Sequence, residues 1–90
     1  EPNISHAELA RIQCPVLVMA GDDDMIKHEH TVELYENIPL GQLAIIPGTS
    51  HKFIKEKTAL TQLLIQEFLE DLSYPHTMIP MRRANPQTAQ

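Results

Sequence analysis

Two short segments hold most of the groups that could do chemistry in this chain: Gly21-Asp22-Asp23-Asp24-Met25-Ile26 and Pro47-Gly48-Thr49-Ser50-His51. The first offers carboxylates, the second an imidazole beside a hydroxyl. A carboxylate paired with a histidine has a definite use. It fixes the imidazole's tautomer and stabilises the imidazolium formed when the other ring nitrogen takes a proton. Other groupings carry less. Asp22, Asp23 and Asp24 together have the composition of a divalent-cation or phospho-acceptor cluster, but three acids in a turn read first as solvated side chains. His28 and His30 stand two positions apart, which on a helix turns their side chains about 200° from one another, so they share no metal there. His6 and His76 read as exposed histidines. Ser50 lacks the strand-to-helix elbow that exposes an attacking oxygen and reads as a loop residue. The single cysteine, Cys14, forms no internal disulfide and no thiolate cluster, and reads as a small core residue. Met19, Met25, Phe53 and Phe68 read as packing, and no metal or cofactor is expected.

The elements that must position Asp24 and His51 follow from hydrophobic patterning. Cys14-Pro15-Val16-Leu17-Val18-Met19-Ala20 is a short apolar run bounded by Pro15 and Gly21, which predicts a buried strand. Residues 28 to 38 place Val32, Tyr35 and Ile38 three apart, with Leu34 four before Ile38, and predict a helix ended by Pro39-Leu40-Gly41. Gln42-Leu43-Ala44-Ile45-Ile46 predicts a second strand, closed by the Pro47-Gly48 turn. Residues 55 to 72 space Leu60, Leu63, Leu64, Phe68 and Leu72 by three and four and predict the longest helix. Ser5 and Glu8 stand in capping-box positions for a short helix from Ser5 to Arg11. A helix between two strands implies a crossover with the strands parallel, so the fold class is α/β. Parallel neighbours lie about 4.8 Å apart, which brings a carboxylate after one strand within reach of an imidazole after the next.

The 90 residues suffice for one small globular unit, with 42% hydrophobic and 21% charged residues. Twelve acidic against seven basic side chains give a formal charge of -5, which excludes a broad basic surface for nucleic acid or anionic lipid. No apolar run reaches membrane-helix length, and the N-terminus lacks the basic and apolar regions of a signal peptide, so a cytoplasmic location is the expectation. The opening Glu1-Pro2-Asn3, without an initiator Met, is what a processed or excised chain would show. Residues 73–90, punctuated by Pro75, Pro80 and Pro86, read as a flexible tail in which Arg82 and Arg83 are solvated. Two strands alone leave both outer sheet edges unpaired. The sheet is therefore expected to be completed by another copy, giving a homodimer, or by further strands of a larger domain.

Over residues 8 to 72 the sequence resembles the C-terminal segment of the α/β-hydrolase family. Leu9, Ile12, Pro15-Val16-Leu17-Val18, Gly21-Asp22-Asp23-Asp24, Pro47-Gly48-Thr49-Ser50-His51 and the amphipathic last helix carry the likeness. In that family the triad acid follows the penultimate core strand and the histidine follows the final one. The resemblance places the family's Gly-x-x-Asp on Gly21 and Asp24, and its Gly-x-x-His on Gly48 and His51. It implies Asp24 as triad acid, His51 as general base, and Glu56 at the acidic position that often opens the family's last helix. It implies residues 1–72 as the C-terminal part of a hydrolase domain acting on a small ester, amide or related substrate. No Gly-x-Ser-x-Gly occurs in the chain, so the nucleophile would come from an earlier strand, turn and helix, as would the remaining oxyanion-hole donors and any cap. A non-enzymatic α/β module, docking through its strand edges, is the alternative.

Overall fold

A computed structural model of the chain describes residues 5–81. Helix α1 (His6–Ala10) begins where Ser5 caps it: Ser5 Oγ accepts the Glu8 N–H, and the Glu8 carboxylate accepts the Ser5 N–H at 3.0 Å. Both halves of the predicted capping box are present. The chain then enters β1 (Val16–Gly21), crosses through α2 (His28–Asn37) to β2 (Gly41–Ile46), and ends its regular structure with α3 (Phe53–Glu56) and α4 (Thr58–Glu70). Pro15 has no N–H to give a ladder, so pairing starts one residue later, with the Val16 N–H donating to the Leu40 carbonyl at 3.2 Å. Cys14 is left outside the sheet and is exposed, not a core residue.

The two strands pair in parallel over their full length, from Val16 opposite Gly41 to Gly21 opposite Ile46. The loops that follow them therefore leave from the same end. The molecule is a small α/β protein of two parallel strands and four helices among its described residues. Helix α2 packs on both strands, and α1 packs on α2. His6 Nε2 and the Glu33 carboxylate pair across α1 and α2 at the surface.

The apolar core is small and lies beside the strands: Leu9, Ala20, Ile38 and Ile46 are buried. Burying a side chain such as Ile46 contributes about 1.5–3 kcal/mol. Three threonines share that interior, Thr31, Thr49 and Thr61, each 5% exposed or less. Of the predicted α2 stripe, Ile38 is buried and Val32 and Tyr35 are half-buried, whereas Leu34 is exposed. The last predicted helix is broken. Lys57, at φ -133° and ψ 61°, interrupts it between α3 and α4, and Leu72 lies beyond its end. The break turns Thr61 inward, where its Oγ1 donates to the Phe53 carbonyl at 3.3 Å, and leaves Leu63 and Leu72 exposed. Between α4 and the strands is a hollow of about 300 Å³, lined among others by Leu17, Leu43, Leu64, Phe68 and Pro75. Residues 71–81 form neither helix nor strand, and Met78, Ile79 and Met81 are exposed. Arg82 and Arg83 lie outside the described residues. No helix among the described residues is long and apolar enough to cross a membrane.

Candidate active site

The site forms where the loops after β1 and β2 close on one another. Gly21 makes that approach possible: a Cβ there would stand 2.3 Å from the Ser50 carbonyl oxygen and 2.5 Å from that of Thr49. Gly48 turns the other loop back with φ +69°, a left-handed conformation that side chains resist. Lys57 Nζ donates to the Pro47 carbonyl at 3.2 Å and ties this turn to the start of α4.

Hydrogen bonds then lace the loops together. The Asp22 N–H donates to the Ile46 carbonyl at 3.1 Å, and the Asp23 N–H donates to the Thr49 carbonyl at 2.8 Å. In return the Thr49 N–H donates to Asp22 Oδ1 at 3.1 Å, and Thr49 Oγ1 donates to the Ile46 carbonyl at 2.7 Å. The Gly48 and Thr49 amides hold the Asp22 carboxyl below its ordinary pKa. Asp22 is an exposed turn residue, as expected, and is also a cross-loop brace through the carboxylate it bonds to the neighbouring loop.

Asp24 is folded inward. Its Oδ2 accepts the Gly21 N–H at 3.2 Å and its Oδ1 accepts the Ile26 N–H at 3.1 Å. The Ile26 amide lowers the pKa of Asp24 most, desolvation works against it, and the Gly21 amide and His51 add to the lowering. His51 Nδ1 lies 3.1 Å from Asp24 Oδ1. The Asp24 side chain is 2% exposed and that of His51 54%, so the acid is enclosed while the imidazole reaches solvent. Nε2 has no hydrogen-bond partner among the described residues. A shallow hollow of about 380 Å³, lined by Asp23, Asp24, Met25, Ser50, His51 and Lys52, opens at the pair. Met25 is 81% exposed at its rim rather than packed in the core.

Ser50 lines the same hollow, but its polar atoms are bound to Glu56 and Lys52. Its N–H donates to Glu56 Oε1 at 2.7 Å, its Oγ lies 3.0 Å from both Glu56 oxygens, and the Lys52 N–H donates to that Oγ at 3.1 Å. Cys14 lies before the entrance of β1, at the opposite end of the strand from the pair. His28 Nε2 is 3.4 Å from the Gly21 carbonyl, at the margin of a hydrogen bond, and His30 stands on the exposed surface of α2. Among the described residues no three His, Cys, Asp or Glu side chains gather as a metal site would require.

The sequence placed Asp24 and His51 at neighbouring strand ends, and the structure brings them into contact. It did not reveal Thr49 as the buried residue between the loops. Thr49 lies 27 residues after Asp22, and His51 27 after Asp24, so the two loops run side by side over both pairs. Compared with protein-family models and with curated proteins, the chain matches none.

Proposed function

We propose that Asp24 and His51 are the acid and general base of a nucleophile–histidine–acid triad, and that the chain is the C-terminal part of an α/β-hydrolase acting on small esters, amides or related substrates. The observation that carries this reading is the 3.1 Å approach of His51 Nδ1 to the enclosed Asp24 carboxylate. With Asp24 accepting Nδ1–H, Nε2 is the basic nitrogen of an imidazole that lines the hollow. A nucleophile from an earlier segment gives its proton to Nε2 as it attacks the substrate carbon, and His51 returns that proton to the leaving group. Asp24 stays ionised throughout, in keeping with its lowered pKa, and stabilises the imidazolium between the two steps.

The reading frame immediately upstream is expected to encode a strand, Gly-x-Ser-x-Gly and a helix. A polypeptide that includes them should hydrolyse an activated ester, with His51→Ala lowering turnover by about 10⁶-fold and Asp24→Asn by about 10⁴-fold. Turnover unchanged in His51→Ala removes His51 from the mechanism. The 90-residue chain alone should resist serine-directed labelling, and stoichiometric labelling at Ser50 would make that hydroxyl the nucleophile and overturn the need for one from an earlier segment.

The sheet's edges favour a second reading. Each strand has a neighbour on one side only among the described residues, and an open edge of unsatisfied backbone groups invites another strand. On this reading the chain is a non-enzymatic module that pairs with a second copy or docks a partner. A concentration-independent monomer by light scattering counts against it.

A further inference from the structure

Resting on the reading of His51 as general base, we propose that Glu56 is a positioning residue for His51, acting through Ser50. The His51 side chain is more than half exposed and has a single hydrogen bond, to Asp24, so packing does not aim it. Its direction must come from the backbone that carries it. The backbone N–H groups of both residues that flank His51 lead to one carboxylate: the Ser50 N–H donates to Glu56 directly, and the Lys52 N–H donates to Ser50 Oγ, whose hydroxyl faces Glu56. Short hydrogen bonds to a charged acceptor are the stronger kind.

Glu56 is itself anchored. It ends α3, whose first carbonyl, that of Phe53, accepts bonds from the Lys57 N–H at 2.8 Å and from the buried Thr61 hydroxyl. The line of support runs from the interior of α4 through α3 to the histidine loop. Glu56 falls in the single turn of α3, just before α4, and its carboxylate is turned to Ser50. Ser50 Oγ is held on both sides, donating to Glu56 and accepting the Lys52 N–H. The other charged groups around the imidazole are Asp23, Asp24 and Lys52.

The test reads the His51 tautomer in the 90-residue chain by long-range ¹H–¹⁵N NMR at about pH 9, where imidazoles are neutral. Unrestrained histidine favours the Nε2–H form. A Nδ1 held against Asp24 should show mainly Nδ1–H, and Asp24→Ala should return the ring to the unrestrained mixture. Glu56→Ala should do the same with the far-UV spectrum unchanged. Glu56→Gln, whose carbonyl oxygen still accepts the Ser50 N–H, should keep most of the Nδ1–H population. Ser50→Ala, which frees the Lys52 N–H, should lose part of it, and decides the question alone if Glu56→Ala unfolds. A wild-type chain without the Nδ1–H preference defeats the Asp24–His51 pairing. A preference untouched by Glu56→Ala, or by Ser50→Ala where that variant decides, leaves the pairing standing and overturns the role of Glu56.

Discussion

The loops after β1 and β2 are joined by polar bonds to specific atoms, whereas α4 faces the sheet across a hollow, with apolar side chains that stay partly in solvent. At the strand ends, Asp22, Asp23 and Thr49 exchange hydrogen bonds, and Gly21 leaves no room for a methyl group between the loops. Along α4, only Thr61 is fully buried, Leu63 and Leu69 are more than half exposed, and a hollow separates the helix from Leu17 and Leu43. Hydrogen bonds are directional and set the distance between named atoms, whereas apolar coverage sets proximity alone. The Asp24–His51 pair lies in the hydrogen-bonded region, and α4 supports α3.

Substitutions in the two regions should therefore behave differently. The largest effect is expected at Gly21→Ala, because the atoms its methyl would strike are backbone oxygens that cannot rotate away. A loss of about 2–3 kcal/mol in urea unfolding is expected, together with weaker His51–Asp24 contact in NMR. A loss under about 0.5 kcal/mol would show the rim to be as tolerant as α4.

Acid should act next, and through the rim. Asp22 and Asp24 both have native pKa values below the ordinary 3.8, so their contribution is fully present above that value. It declines as pH falls below it and is gone once the lowered native values are passed. Stability measured from about pH 6 down to about pH 2 should drop most steeply at the acid end, and Asp22→Asn should flatten that limb. An unchanged slope in the variant would detach Asp22 from the brace.

Thr61→Val should cost about 1 kcal/mol, because it deprives the Phe53 carbonyl of one of its two donors inside the α3–α4 corner. Leu69→Gln, on the exposed side of α4, should change stability by less than about 0.5 kcal/mol. A loss of several kcal/mol at Leu69, by the same urea measurement, would mean that α4 is covered in solution.

Much of this contrast was legible in residue order. The run from Val16 to Ala20, the strand before Pro47 and the Ser5–Glu8 capping box announce themselves because each has a local cause. Asp24 and His51 were legible for a related reason: parallel strands put their following loops at one end, so order along the chain becomes adjacency in space. The break at Lys57 was hidden, since no glycine or proline marks it and the leucine series, which starts only at Leu60, says nothing of the residues before it. The inward threonines were hidden too. A polar residue is buried only where its hydroxyl finds a carbonyl, as Thr49 finds Ile46 and Thr61 finds Phe53, and no periodicity records that. Leu63 and Leu72 misled in the opposite sense, because an apolar stripe states what a helix can cover and not how much surface two strands offer it.

The parallel ladder has a last consequence, for how such a sheet tolerates change. The bonds that set Asp24 against His51 arise within the two loops, from α3, and from the Gly21 N–H at the end of β1, which points away from β2. A strand added beyond β2 would widen the platform without touching any of these donors and acceptors. One added beyond β1 would meet a margin whose final N–H is already given to Asp24, so the two flanks are not equivalent for enlarging the sheet.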